Sequence, residues 1–325
     1  MVYPLVQASA MKHAQEGHAP VLLQEVLDGL SVSKGGCWLD GTFGGGGHTL
    51  AILQAHPDNR VTAIDRDPDA CIRAQELKEQ FADRFTFVRG NFSELGERAK
   101  GPWDGVLLDL GVSSFQLDQA DRGFSFRESG PLDMRMDPEH GVSARDWLAN
   151  VDEDGLVRVL REYGEERLAR PIARSLLTAR DSGKLESTTD LAEAVERAIP
   201  ARLRYQRSIH PATLTFQAIR IAVNREMEEL ERVLPVAFEQ LAENGKLAII
   251  SFHSLEDRMV KRFFRRMAGM AESRWDSTPA DFRTAHARIL TPKPIEAGEE
   301  EINRNPRSRS ARLRILQKGN PNKHD

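Results

Sequence analysis

The sequence predicts an α/β protein, a parallel sheet with helices packed around it, interrupted by a large and mainly helical insertion. Three observations predict it. Short apolar runs alternate with helix-like stretches through the first third of the chain, as successive βαβ units require. A glycine-rich turn follows the first apolar run directly. About a hundred residues then pass between the fourth strand and the next strong one, a crossover long enough to hold a domain of its own.

Taken in order, strands are expected at Cys37–Asp40, Arg60–Asp65, Phe85–Arg89 and 105–109, with helices near 49–54 and 68–80. Residues 115–141 are rich in Gly, Asp and Arg and read as loop, with Asp133-Met-Arg-Met-Asp137 either part of a lid or a segment whose methionines simply pack. Leu191, Ala194, Val195, Ala198 and Ile199 form a helical stripe, with Ser187 and Asp190 spaced as a capping box and Pro200 ending the helix. A second run over 212–224 places Phe216, Ile219 and Val223 on one face. A third extends from Glu226 towards Leu241 and is closed by Asn244-Gly245. A fifth strand over 246–252, a helix over 255–267 and a late strand over 311–316 complete the pattern. The expected domains are a discontinuous core over 1–113 and 216–325, with 1–17 a mobile arm, and an inserted substrate-recognition domain over 114–215.

Composition bounds the function. At 325 residues the chain exceeds the usual single-domain size, and 40% apolar with 29% charged residues excludes a disordered class. The longest apolar runs, such as 247–252, fall far short of the ~20 residues that cross a bilayer, and the amino terminus lacks a basic-then-apolar leader pattern. A cytoplasmic protein without a membrane partner is expected. Cys37 and Cys71 alone exclude a disulfide framework and leave too few thiols for a zinc cluster, so no metal is expected. Forty-five Lys and Arg against 49 Asp and Glu give a net charge of -4, which announces no nucleic-acid binder. The charges are segregated, however: Arg304, Arg307, Arg309, Arg312, Arg314, Lys318 and Lys323 follow an acidic run of Glu296, Glu299, Glu300 and Glu301.

The chemistry-bearing residues gather at strand ends. Asp40-Gly-Thr-Phe-Gly-Gly-Gly-Gly-His48 leaves the first strand and enters a helix. Glycine removes Cβ where backbone approaches a ligand, and the helix start aims N–H groups at an anion such as a pyrophosphate or an amino-acid carboxylate. Asp65 ends the second strand, where an acid commonly accepts hydrogen bonds from two ribose hydroxyls. Asn91-Phe92 follow the third strand and suit adenine, by edge hydrogen bonds and ring contact. Asp109 ends the fourth strand at the carboxyl edge where α/β ligands bind.

Long motifs accompany these ends: HAPVLL from His18, DGTFGGGGH from Asp40, AIDRD from Ala63, LLDLGVSS from Leu107, RGFSF from Arg122, GPLDMRMD from Gly130, YGEER from Tyr163, HPAT from His210 and SFHSLEDR from Ser251. Together they make the chain resemble, from His18 to Arg314, the MraW family of bacterial ribosomal RNA small-subunit methyltransferases. The resemblance implies a Rossmann-like S-adenosylmethionine methyltransferase core with an inserted helical domain. It implies methylation of the exocyclic N(4) of a cytosine in the decoding region of 16S rRNA, with the small ribosomal subunit as partner. It also implies Gly46, Gly47, His48, Asp65, Phe92, Asp109 and Gln116 as residues holding S-adenosylmethionine.

Methyl transfer needs an electrophile and an aligned nucleophile, so most of the acceleration is expected from orientation. Asp109, or the backbone from Leu110 to Ser113, is placed to grip the amine; Ser251 and His253 are candidates for contacting the base, or else for capping the next helix. Carbon methylation needs a cysteine nucleophile, and Cys37 and Cys71 are expected away from the carboxyl edge. The Asn/Asp-Pro-Pro-aromatic signature of DNA amino methylation is absent after the fourth strand, which argues against DNA. RNA contact is expected from Arg202, Arg204 and Arg207, from Lys261, Arg262, Arg265 and Arg266, and from Arg307, Arg309 and Arg312. Two rivals remain open: an NAD-dependent oxidoreductase, for which the turn lacks a clean G-x-G-x-x-G, and a ribosome-assembly factor acting mainly by binding.

Overall fold

The computed structural model describes residues 19–207 and 209–319; the arm expected over 1–17 and the first residue of the His18 motif lie outside them. The chain divides into two compact units, one running to Gly111 and resuming at Met227, the other spanning Val112–Glu226. The insertion expected over 114–215 stops too early. Helix Thr213–Asn224 buries Phe216, Ala218 and Ile219 in the second unit's core, which carries the boundary past it.

Among the described residues the first unit has eight strands: β1 (Cys37–Asp40), β2 (Arg60–Asp65), β3 (Phe85–Arg89), β4 (Trp103–Asp109), β5 (Leu241–Ser251), β6 (Ala287–Ile289), β7 (Ile295–Glu296) and β8 (Arg312–Lys318). The sheet order is β3-β2-β1-β4-β5-β8-β6, with β7 also pairing β8. Strands β1 to β5 pair in parallel, and β8 is antiparallel to β5 and β6. Chain order runs outward from β1 to β3 and then returns to β4. This reversal opens the crevice at the carboxyl ends of β1 and β4 where doubly wound sheets take ligands.

Period-two alternation explains why these runs form the centre of the sheet. Trp38, Val61, Ala63, Leu107, Ala248 and Ile250 face one core, while Leu39, Ile64, Val106, Leu108, Leu247 and Ile249 face the other. Both faces are buried, so the strands read as nearly continuous apolar runs. Helices Gly47–Ala55 and Pro68–Phe81 cover the first face through Leu50, Ile52, Ala70, Ala74 and Leu77. Leu230, Val233, Leu234, Val260, Phe263 and Phe264, from helices Glu226–Glu239 and Ser254–Met267, cover the second. Asn244-Gly245 does not close a helix. The helix ends at Glu239, and β5 runs through Asn244, at φ 64°, as a bulge opposite Trp103 and Gly105.

The second unit packs helices Ala144–Asn150, Glu153–Glu162, Ala169–Asp181, Thr188–Ala198 and Thr213–Asn224 around Leu156, Leu160, Ile172, Leu176, Leu191 and Val195. The capping box forms: the Ser187 hydroxyl accepts from Asp190 N at 3.2 Å, and Asp190 accepts from Ser187 N at 2.9 Å. The stretch expected as loop holds one short helix, Ser114–Asp118, and a turn at Ala120–Arg122. Asn224 pins the rest, accepting from Met136 N at 2.8 Å and donating to Met134 O at 2.7 Å. Met134 and Met136 are buried packing residues here, not the exposed face of a lid.

Candidate active site

The carboxyl ends of β1, β2 and β4 bring Asp40, Asp65 and Asp109 into one polar crevice, organised by backbone donors. Asp65 accepts from Gly44 N at 2.7 Å and from Asp67 N at 2.9 Å, which ties the glycine turn to the end of β2. Gly46 adopts φ 77°, and a Cβ there would lie 2.7 Å from the Phe43 ring. Only glycine fits that position. The helix starting at Gly47 follows at once, so its first turn faces the crevice.

Asp40 was not singled out from the sequence, yet it is the hub. One oxygen accepts from the Thr49 hydroxyl at 2.7 Å, and the other from Thr42 N at 3.1 Å. The Thr42 hydroxyl in turn accepts from Asp109 N at 2.6 Å. A polar chain therefore runs from the helix after the turn, through β1, to the end of β4. Burial lifts the Asp40 carboxyl to about 6 despite the hydrogen bonds from Thr49 and Thr42. The signal was available: an acid at the end of an apolar strand, directly before the glycines, with Thr at two and nine residues on.

Asp109 is about a quarter exposed as a side chain, but its Oδ1 is enclosed and has no hydrogen-bond partner among the described residues. Burial, with Asp40 and Glu256 nearby, holds its carboxyl well above the usual carboxylate range. His48 lies beside it, Nδ1 to Oδ2 at 3.8 Å. The His48 Nε2–H donates to Val21 O at 3.0 Å, so Nδ1 is the unprotonated nitrogen, and burial lowers the ring to about 4. At neutral pH the His48 ring is uncharged. Burial also raises Asp65. Phe92 is half-buried after β3.

Several expected residues have other employment. Asn91 caps the turn at Phe92–Glu94, its side-chain oxygen accepting from Ser93 N at 3.2 Å. Ser113 caps Ser114–Asp118 reciprocally with Gln116, whose side-chain oxygen accepts from Ser113 N at 3.0 Å; both belong to the second unit. His253 caps Ser254–Met267, with Nδ1 facing Glu256 N at 3.4 Å, as the capping alternative foresaw. Ser251 points its hydroxyl at Arg312 O, 3.4 Å away. Cys71 is not remote from the crevice: it lies in the first turn after β2, where Asp65 and Asp67 act on it. Burial raises its thiol further, against a nucleophilic thiolate.

The basic candidates separate by partner. Arg207 makes a two-pronged pair with buried Glu166, both contacts at 2.8 Å, and so belongs to the second unit's interior. Arg312 lies 3.6 Å from Asp257 and 3.4 Å from Glu296, and Arg265 donates to Ala271 O. Arg266 lies over the Phe263 ring at 5.4 Å and 3.3 Å from Glu272. Arg204 and Arg307 are half-buried, while Arg202, Lys261, Arg262 and Arg309 are exposed. Among the described residues no helix is long and apolar enough to cross a membrane.

A reversed parallel order, an antiparallel β8 between β5 and β6, a glycine turn after β1 and acids closing β1, β2 and β4 define a Rossmann-like nucleoside-binding enzyme core. Comparison with known families narrows the class to one. The model of the MraW methylase family matches residues 15–319, and the chain belongs to that family of methyltransferases. Proteins named ribosomal RNA small subunit methyltransferase H are similar along nearly their whole length. The one from Heliobacterium mobile is 48% identical over 313 residues, covering 93% of this chain and 98% of its own. Those from Thioalkalivibrio sulfidiphilus and Nitrosococcus oceani are 50% and 49% identical, each across 93% of this chain and 97% and 96% of their own.

Proposed function

We propose that this enzyme transfers a methyl group from S-adenosylmethionine to the exocyclic N(4) of a cytosine in the decoding region of 16S rRNA, within the small ribosomal subunit. The observation that carries the reading is Asp109: a carboxyl at the end of β4, lifted well above its ordinary range, with one enclosed oxygen lacking a partner among the described residues. Family membership and the names of the relatives support the RNA substrate. The bound cofactor supplies an electrophilic methyl group on a positively charged sulfur.

The residues fit that ligand. The helix start that follows the turn at Gly46 would offer N–H groups to its carboxylate, Asp65 would accept from the ribose hydroxyls, and Phe92 would offer an aromatic face to adenine. Asp109 accepts an N–H of the cytosine amine, turning a lone pair otherwise delocalised into the ring toward the reacting carbon. As the N–C bond forms and the S–C bond breaks, the nitrogen sheds a proton. A carboxylate hydrogen-bonded to that nitrogen is placed to take it. The chain Thr49–Asp40–Thr42 positions Asp109 without touching the reacting atoms.

Equilibrium cofactor binding combined with single-turnover transfer tests this assignment. Asp109→Asn, which keeps an oxygen acceptor but takes no proton, is expected to bind cofactor within a few-fold of wild type and to transfer slowly, by roughly 10²-fold or more. Wild-type single-turnover rates in Asp109→Ala at saturating cofactor would sink the amine-gripping role.

A further inference from the structure

The segment that follows helix Ser254–Met267 leaves two large aromatic rings in water, and nothing in the chemistry above uses them. Trp275 is 78% exposed and Phe282 79%. The chain around them is firmly held. His286 N donates to Met267 O at 2.7 Å, and Ala268 bridges Ala285, closing the segment at its base. Asp276 accepts from Glu272 N at 2.9 Å and Thr278 N at 3.0 Å, and Asp276 N donates to Ser273 O, fixing the turn that carries Trp275. A short 3₁₀ turn, Ala280–Phe282, carries the second ring, and Arg283 beside it donates to Thr278 O at 2.5 Å.

We propose that the loop between Ala268 and Ala285 is a stacking platform for single-stranded RNA, on which Trp275, backed by Arg274, and Phe282 each receive an unstacked base. The proposal rests on the RNA-methylation reading and adds to it the surface that engages the substrate. A base presents a π-face to any exposed aromatic ring, and single-stranded RNA is typically gripped by such rings interleaved with cations. The Arg274 guanidinium lies over the Trp275 ring, 4.6 Å from its centroid, which sets a cation at the stacking ring itself. The preceding helix adds the exposed Lys261, Arg262 and Arg266, with charge complementary to phosphates. A lipid surface suits the loop less well, because Glu272, Asp276 and Asp281 are interleaved with the rings and would be carried towards the acyl chains.

The test compares Trp275→Ala/Phe282→Ala with the conservative Trp275→Phe/Phe282→Tyr in the full chain. It reads KM for small ribosomal subunits, kcat, cofactor affinity, and the wild-type tryptophan emission with a short oligocytidylate or with phosphatidylserine vesicles. The platform predicts that losing both rings raises KM roughly tenfold or more while the conservative pair stays within about threefold. It also predicts unchanged kcat and cofactor affinity, with emission quenched by the oligonucleotide. An alanine pair with wild-type KM overturns it, as does emission that shifts on vesicles and ignores the oligonucleotide. Wild-type enzyme that methylates no RNA defeats the functional reading and the platform together; active wild type with an indifferent alanine pair defeats the platform alone.

Discussion

Replacing Asp40 with Asn removes a buried charge from the centre of the site, and the effect on stability has a defined dependence on pH. Asp40 is 1% exposed, and its carboxyl rises from 3.8 to about 6 on folding. A raised carboxyl stabilises the fold fully below its unfolded value and loses that contribution as pH climbs through the folded one. Two units at about 1.4 kcal/mol each set the loss at roughly 3 kcal/mol. His48 works the other way. Its ring falls from 6.5 to about 4, so its contribution is complete above 6.5 and is lost as pH drops through 4. Between these values the two slopes oppose one another, and a flat wild-type profile conceals both. Urea unfolding at several pH values exposes them. The stability difference between Asp40→Asn and wild type is expected to move by about 3 kcal/mol in favour of Asn from about pH 4 to about pH 8, whatever its constant offset. The variant's stability should fall more steeply than the wild type's on acidification. A difference that stays the same across that range would refute the reasoning, since it would mean that Thr49 and Thr42 compensate the buried charge completely.

Gly46→Ala places a Cβ against Phe43 at a left-handed backbone position, and is expected to cost about 1–2 kcal/mol of stability and to weaken cofactor binding, read by thermal unfolding and calorimetry. Arg207→Ala strands the Glu166 carboxylate, whose side chain is only 1% exposed, and should destabilise by about 3–5 kcal/mol, whereas Glu166→Gln/Arg207→Met should recover part of that loss in denaturant unfolding. Asn224→Ala removes the acceptor of Met136 N and the donor to Met134 O, with an expected cost of about 1–3 kcal/mol and faster hydrogen exchange at Met136.

The parallel core was legible because its strands are buried on both faces and stop at polar residues: β1, β2 and β3 begin and end where the apolar runs do. Less visible was β5, which starts at Leu241 because Asn244-Gly245, a turn signal in isolation, is absorbed as a bulge against Trp103 and Gly105. The short β6 and β7 were not foreseen; they exist through pairing with β8, a long-range partner that local pattern does not reveal. In the site, Asp65 and Asp109 could be read from their places at strand ends. Asn91, Ser113 and His253 looked equally polar and equally well placed; each caps a helix or turn, which depends on backbone direction that residue type alone does not give. Asp40 carried a signal as an acid closing an apolar strand directly before the glycines, but its bonds from Thr42 N and the Thr49 hydroxyl leave no periodic signature. The arginines show the same limit: sequence gives a charge, and only the fold reveals that Arg207 has a buried partner.

The most direct test of the account is methyl transfer from labelled S-adenosylmethionine to purified small ribosomal subunits, with naked 16S rRNA in parallel, followed by nucleoside analysis. Label in N(4)-methylcytosine, lost in Asp109→Ala, is the predicted result; label on a ring carbon, or no transfer to either substrate by a protein that binds the cofactor, would contradict it.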